Sequence, residues 1–503
     1  MQKLIRNIVV VGGGTAGWMA AALLSRTLGT DRFSITLVES EEIGTVGVGE
    51  ATIPPILDFN AVLGLNEDEF IRATNATFKL GIEFVDWQRT GHRYFHPFGK
   101  FGVDMDGIDF HSFWLRNVMS GGNPDIGLFN TETLAARENR FSPPSANAQI
   151  PLPKFGYAFQ FDAALYAGYL RRFSEGLGVV RLEGLIETVN QDADTGYIIS
   201  LTLRDGRIVT GDLFFDCTGF RGLLIERTLQ SGYEDWSRWL PCDRAVAVPT
   251  ERAVGPITPY TRATAREAGW QWRIPLQHRT GNGYVFCSDF LSEEEATEKL
   301  LGRLDGKPQK DPKVLRFVAG HRKKIWNKNV VALGLASGFL EPLESTSIHL
   351  VQACLTRFLS YMPRDEFNPA VIAEYNRRVL SEYTAIRDFL VAHYTVTERD
   401  DTPFWRHCRA MEIPDSLKAR LEVFRSLGYA GTAPTELFGE ANWFAVLYGQ
   451  GFRPTGYNAI ADAMSDDELK LRLQQIRSHV TRRVVEMSPH DSFIKRRCAA
   501  TVG

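Results

Sequence analysis

Beyond a short polar lead, Asn7–Val11 (NIVVV) is a β-branched run with the profile of a strand buried on both faces of a parallel sheet. Gly12-Gly13-Gly14-Thr15-Ala16-Gly17 follows at once, residues 18–28 carry helical spacing, and residues 33–38 form a second strand-like run closing on Glu39. Strand, glycine turn, helix and strand in so short a span predict a βαβ unit. Farther on, residues 161–176 read as a helix. Residues 197–203 alternate, meet Asp205-Gly206 and return through 207–210, which predicts a hairpin. Residues 213–216 and 329–335 read as further sheet strands. Helices are predicted over 347–359, 369–390, 414–427, 441–448 and 466–486, whereas the Pro-, Asn- and Gly-rich stretches 121–127 and 142–153 read as excursions. The pattern divides into a mixed α/β part, 1–360, and a mainly helical part, 361–503, without internal repeats.

Composition changes this picture little. A chain of 503 residues with 44% hydrophobic and 23% charged residues can bury a large core in one to three domains. The 32 Phe and 10 Trp mean either a flat hydrophobic ligand site or a thick core. A net charge of −3, from 57 basic and 60 acidic residues, argues against nucleic acid or an anionic membrane as partner. No apolar run approaches the roughly 18 residues of a membrane span. The lead leaves no room for a secretory signal, and Cys217, Cys242, Cys287, Cys354, Cys408 and Cys498 are scattered without a CxxC, so reduced thiols and a cytoplasmic location are expected.

Candidate chemistry begins at the glycine turn. Gly12 allows the tight turn, Gly14 lets backbone approach a pyrophosphate, and Gly17 permits close helix–strand packing. The helix starting near Thr15 and Ala16 offers free N–H groups to phosphate oxygens. Glu39, 22 residues after Gly17, stands where a carboxylate accepts from a ribose hydroxyl. A dinucleotide site is therefore expected, and the later glycine-bearing segment 331–338, which includes Leu335, favours FAD over NAD because two-sheet flavoproteins return such a segment to the cofactor.

Other segments leave more than one reading open. Residues 44–55 (GTVGVGEATIPP) form a shaped loop, either a gate beside the cofactor or an ordinary connector. Lys79 lies in apolar company, residues 76–81 (ATFKLG). The commoner meaning is a surface lysine snorkelling from an apolar base; a buried ammonium would instead have a depressed pKa and act as acid, donor or nucleophile. Trp270 and Trp272, in WQWRIP, share one face of a strand and either wall a ligand or pack a sheet. Residues 341–347 (EPLESTS) join carboxylates and hydroxyls to a helix N-terminus, an anion-binding arrangement or simple N-capping. His349 beside it reads as packed. His92 and His96 lack a third convergent ligand, so no metal is expected.

Taken together, residues 12–20 (GGGTAGWMA), 47–54 (GVGEATIP), Lys79, 270–275 (WQWRIP) and 341–347 (EPLESTS) resemble the flavin-dependent halogenases of the tryptophan-halogenase family over essentially the whole chain. The WxWxIP segment carries most of the specificity. The resemblance implies an α/β fold, an FAD-binding Rossmann-like core of the two-sheet flavin monooxygenase type with an added helical C-terminal region. It implies FAD used as FADH2 from a separate flavin reductase, with bromide or chloride as co-substrate. Hypohalous acid formed beside the flavin then crosses a tunnel to Lys79, where it is hydrogen-bonded or held as a haloamine, and Glu344 serves the aromatic substrate. Gly47, Gly49 and Ala51 join the cofactor set, Thr346 and Ser347 bind halide, and Trp270, Trp272, Ile274, Pro275, His96, Pro97, Phe98, Ser345, Phe438 and Trp443 line substrate or tunnel. A homodimer also occurs in the family.

The departure from the family lies late. Members that bind free tryptophan carry a Tyr-Tyr pair and a Glu followed by Phe-Trp ahead of an Asn-Tyr-Tyr segment. Residues 425–442 here read RSLGYAGTAPTELFGEAN, with Leu437-Phe438 in place of Phe-Trp and Trp443-Phe444 in place of the later tyrosines. Clamping a zwitterion without those anchors would desolvate its charges unpaired. Indole or a related electron-rich aromatic is therefore the expected substrate. Free tryptophan, an FAD-dependent aromatic hydroxylase and a non-catalytic flavoprotein are the alternatives.

Overall fold

The first strand, β1 (Asn7–Val11), is buried from its second residue onward, as its β-branched sequence requires. In the computed structural model, which describes residues 4–43, 49–143 and 152–500, β1 is followed by helix α1 (Thr15–Leu28) and strand β2 (Ser34–Glu39). β1 lies at the centre of a six-stranded sheet. It pairs in parallel with β2 on one side and with Leu213–Asp216 on the other. Val180–Glu183 extends the sheet beyond β2, and Val330–Ala332 extends it beyond Leu213–Asp216, both in parallel; Trp326–Asn327 closes one edge antiparallel. The predicted hairpin is present as the antiparallel strands Ile198–Leu203 and Ile208–Thr210.

Two predicted elements change character. Residues 158–162 form a strand, not the start of a helix; Asp162 ends it and caps the helix Ala163–Gly176 by accepting from the Ala164 and Leu165 N–H groups at 3.0 and 3.2 Å. The run 329–335 is a strand only over Val330–Ala332, because Gly334 takes φ +60° and opens a 3₁₀ turn, Gly334–Ala336.

A second, seven-stranded sheet fills the middle of the chain, where sequence patterning resolved little. Its strand order is Lys313–Arg316, Arg244–Glu251, Arg279–Phe286, Gly269–Pro275, Thr261–Arg266, Gly81–Val85, Arg93–Pro97. The WQWRIP residues thus run between two antiparallel neighbours. In a small antiparallel sheet Ala158–Asp162 is the central strand, flanked by Gly49–Ala51 and Thr77–Lys79.

Helices dominate after Ser347–Ser360, as patterning predicted. The longest, Pro369–Thr395, starts with Asn368 accepting from the Ala370 N–H and Pro369 in the first turn, and runs five residues beyond the predicted end at 390. That extension carries His393 and Tyr394 into the interior, both buried. Among the described residues no helix is long and apolar enough to cross a membrane. The six cysteines are all free thiols.

Candidate active site

The glycine turn is shaped to take a ligand against its backbone. Gly12 has φ +111°, and a Cβ there would strike the Cys217 carbonyl oxygen, so only glycine fits. A Cβ on Gly17 would strike the Gly12 carbonyl oxygen, whereas one on Gly14 would meet nothing within 4 Å. α1 begins with no side-chain cap and no acidic residue in its first turn, leaving its leading N–H groups, around Thr15 and Ala16, for an anion. The turn carrying Leu335 comes back to this point: a Cβ on Gly334 would lie 2.9 Å from Cβ of Ala16. Glu39 ends β2 and lies across Gly13, with its carboxylate paired to Arg181. The donor set, the open glycine face and the late returning turn fit the pyrophosphate of a dinucleotide; a ribose hydroxyl at Glu39 would share its carboxylate with Arg181. Gly47 lies outside the described residues. Gly49 and Ala51 begin and end the strand that leads away from the loop.

Lys79 is not at the surface. It ends the strand Thr77–Lys79 with a side chain wholly removed from solvent. Its Nζ donates to the Thr52 carbonyl at 3.1 Å and to Ser345 Oγ at 2.8 Å, and lies 5.0 Å from the centroid of the Phe98 ring. One side chain thereby ties together the glycine-loop exit, EPLESTS and the His96-Pro97-Phe98 segment. Desolvation pulls the Lys79 ammonium down to about 7, partly offset by the negative charge of Glu344. Ser345, which receives the lysine, has φ +59°, a left-handed conformation uncommon outside glycine.

Glu344 is buried beside it. Oε1 accepts from His393 Nε2 at 2.8 Å, and His96 Nδ1 lies 3.0 and 2.9 Å from Oε1 and Oε2. Burial alone would raise this carboxyl; His96 and His393, both hydrogen-bonded to it, overcome burial and hold the group down at about 2. Thr346 and Ser347 follow at the start of Ser347–Ser360, a helix with no side-chain cap and no acidic residue in its first turn, and Thr346 Oγ1 is buried without a partner. Phe438 stacks on Phe389 at 4.0 Å between centroids, Trp443 meets the same ring edge-on at 4.9 Å, and His96 lies 5.7 Å from it.

The WQWRIP strand spans the space between these groups. The Trp270 and Trp272 rings are neighbours, 6.1 Å between centroids. Trp270 is buried and donates through Nε1 to Glu341 Oε2 at 2.6 Å. Ile274 joins Ala51, Leu276 and Trp272 in a small apolar cluster, and the Pro275 carbonyl accepts from Thr77 Oγ1 at 2.7 Å. Among the described residues, no three His, Cys, Asp or Glu side chains cluster as they would to hold a metal ion.

The family model for tryptophan halogenase matches residues 7–466. The chain belongs to the tryptophan halogenase family. It is similar to a tryptophan 6-halogenase of Streptomyces toxytricini, 37% identical over 91% of this chain and 92% of that protein. Among solved structures it matches a flavin-dependent halogenase from Xanthomonas campestris at TM-score 0.95 and 49% identity, covering 100% of both chains. Another, from Brevundimonas sp. BAL3, matches at TM-score 0.94 and 42% identity over 98% of this chain and 99% of that one. The expected family and fold class are borne out. This halogenase is an FADH2-dependent oxidoreductase with a Rossmann-like FAD-binding core, and chloride or bromide is its co-substrate.

Several residues of the halogenase site escaped sequence reading. His393 stood beyond the predicted helix end with no role assigned to it; its i, i+4 spacing from Phe389 places the two on one face. Asn442 was visible only as the asparagine ahead of Trp443-Phe444; that its Nδ2 lies 2.9 Å from His96 Nε2 needed the fold. Glu341 was visible within EPLESTS, but its link to Trp270 spans 71 positions and needed the fold.

Proposed function

We propose that the halogenase transfers an oxidised halogen from Lys79 to an indole-type aromatic held beside Glu344. The observation that carries this reading is the buried contact of Lys79 with Ser345, the residue between Glu344 and Thr346. When bound, FADH2 with O2 and halide supplies hypohalous acid; a separate flavin reductase supplies the FADH2. Backbone N–H groups of Thr346 and Ser347 hold the halide at the uncapped helix end. Trp270, Trp272, Ile274 and Pro275 keep the aromatic substrate away from the flavin, so that only the small oxidant reaches Lys79.

Two of the three N–H bonds of the Lys79 ammonium are committed to Thr52 and Ser345, and the third donates to the oxygen of hypohalous acid. With a pKa brought down to about 7, Lys79 gives up that proton readily as the halogen–oxygen bond breaks and water leaves. The halogen bonds to the ring, giving an arenium cation that the Glu344 carboxylate stabilises. The ring C–H bond then breaks, its electron pair restores aromaticity, and the proton passes to Glu344. A proton has moved from Lys79 to water and another from ring to Glu344, so transfer from Glu344 back to Lys79 resets the site.

The substrate reading rests on the two late carboxylates. Glu436 accepts from Arg420 Nη2 at 3.0 Å through both oxygens and from the Ala433 N–H at 3.1 Å. Glu440 accepts from the Ala430 and Thr432 N–H groups at 2.7 and 2.6 Å. Glu436 is already neutralised by Arg420, and Glu440 is turned to the backbone of its own loop, which favours an uncharged acceptor enclosed by Phe438, Trp443 and His96. Turnover of indole against L-tryptophan, with a flavin reductase and bromide and read by mass spectrometry, tests this. Bromoindole as the dominant product is expected; a large preference for tryptophan overturns the substrate assignment, and a hydroxylated product overturns the reaction.

A further inference from the structure

Glu344 faces two imidazoles whose protonation can be read from their other partners. The Asn442 amide is oriented because its Oδ1 accepts from the Gly439 N–H at 2.9 Å, so its Nδ2 donates to His96 Nε2. His96 therefore carries its hydrogen on Nδ1, pointing at Glu344, and is neutral. His393 differs. Its Nδ1 lies 2.8 Å from the Phe389 carbonyl, which only accepts, and its Nε2 lies 2.8 Å from Glu344 Oε1. Facing a carboxylate, both ring nitrogens must carry hydrogen, which makes His393 an imidazolium. The ring is completely buried and enclosed by Phe84, Trp87 and Phe389, so water reaches neither nitrogen.

We propose that His393 is a positioning residue that keeps Glu344 ionised and aimed, acting as a buried imidazolium locked in place by the Phe389 carbonyl. This rests on the assignment of Glu344 as the group that stabilises the arenium cation. A neutral carboxylic acid would lose that electrostatic role and could not accept the ring proton. The charged and titratable groups around the pair are few. His96 and Tyr94 face Glu344 from the strand Arg93–Pro97, Lys79 faces it from its own strand, and Glu341 faces His393 from the EPLESTS side. Of these, only His393 and Lys79 can bring positive charge, and Lys79 must release its proton during transfer. The lasting counter-charge is that of His393.

The test is the pH profile of kcat for bromination, at saturating substrate and FADH2, in the wild type, H393Q, H393N and E344Q. The glutamine keeps a donor to Glu344 but removes the charge, so the Glu344 pKa rises and the acidic limb of kcat moves up by about one to three pH units. Activity recovers above the raised Glu344 pKa, while Lys79 still holds its proton, and KM changes little. A pH-independent loss in H393Q, or an unmoved profile, overturns the proposal. E344Q separates the two claims: if it loses activity while the H393Q profile stays put, this inference fails alone, and if E344Q retains wild-type kcat, both fail. Should the His393 variants not fold, ¹⁵N spectra of histidine-labelled wild-type enzyme decide. Both His393 nitrogens protonated supports the imidazolium, and a neutral ring rules it out.

Discussion

On folding, Lys79 loses its water and gains a carbonyl, a hydroxyl and the nearby negative charge of Glu344, and desolvation wins, bringing its pKa to about 7. The unfolded chain holds that proton to about 10.4. Between these two values the unfolded state binds more protons than the folded one, so stability rises with pH across that window. Below it the buried ammonium bears its full desolvation cost. Lys79→Met is therefore expected to abolish halogenation with FAD binding intact. It should also stabilise the fold by on the order of 2–4 kcal/mol near pH 6, with the gain shrinking toward pH 10. Denaturant unfolding of both proteins at the two pH values checks this; a variant less stable than the wild type at the lower pH contradicts the burial argument. Glu344 runs the other way. Its pKa of about 2 gives stability that is present above the unfolded carboxyl value and is lost only in strong acid, as pH falls through the folded one.

At the scale of elements, EPLESTS works as a bracket with two arms. Glu344 reaches toward His96 and His393. Glu341 reaches the other way, its Oε2 accepting from Trp270 Nε1 at 2.6 Å and from the Tyr394 hydroxyl at 2.5 Å. Burial raises the Glu341 carboxyl to about 7 against those hydrogen bonds, and its Oε1 is buried without a partner. Glu341→Leu would strand the Trp270 indole N–H and leave the Tyr394 hydroxyl only the Cys242 thiol, so a loss of roughly 1–3 kcal/mol is expected. Glu341→Gln keeps one acceptor and should be milder. If Trp270 guards the flavin side, the leucine variant also raises the share of oxidised but unhalogenated product, measurable by mass spectrometry. How much of this bracket the sequence disclosed depends on how local each signal is. The βαβ turn was legible because its glycines, strand and helix are contiguous. The hydroxyls of EPLESTS were legible as a helix start for the same reason. Lys79 read locally as a snorkelling surface lysine, because nothing in residues 76–81 shows that the strand Ala158–Asp162, Ser345 and Phe98 surround it. His393 was missed because its meaning comes from Glu344, 49 positions away, and from a carbonyl one helical turn back.

Across the whole molecule, the strand that bears Lys79 is held from the far end of the chain. Thr77 is tied to Pro275, and Gln160 Nε2 donates to Thr77 Oγ1 at 3.0 Å. The Phe78 N–H donates to His490 Nε2 at 3.3 Å, while His490 Nδ1–H donates to the Ile257 carbonyl at 2.8 Å. The Phe78 ring stacks on Phe141 at 3.9 Å and meets Phe493 edge-on at 5.4 Å, and Ser488–Pro489 pairs with Arg140–Phe141. The last helix, His490–Arg497, is thus a buttress for the strand Thr77–Lys79 through Phe78. Burial lowers the His490 pKa to about 4, so the ring stays neutral and its lone pair remains available to Phe78 at any working pH. His490→Phe fills the space but leaves the Phe78 N–H and the Ile257 carbonyl unpaired, letting the strand shift. On the proposed transfer from Lys79, a displacement of its Nζ near 1 Å is expected to lower kcat roughly 10- to 100-fold. FAD affinity, set by the glycine turn on another sheet, should hold within about twofold, and His490→Gln, which can both accept and donate, should recover part of the rate. Steady-state bromination alongside FAD titration of both variants reads the outcome. Parallel losses of FAD affinity and kcat would mean that the buttress supports the whole fold and not the lysine strand.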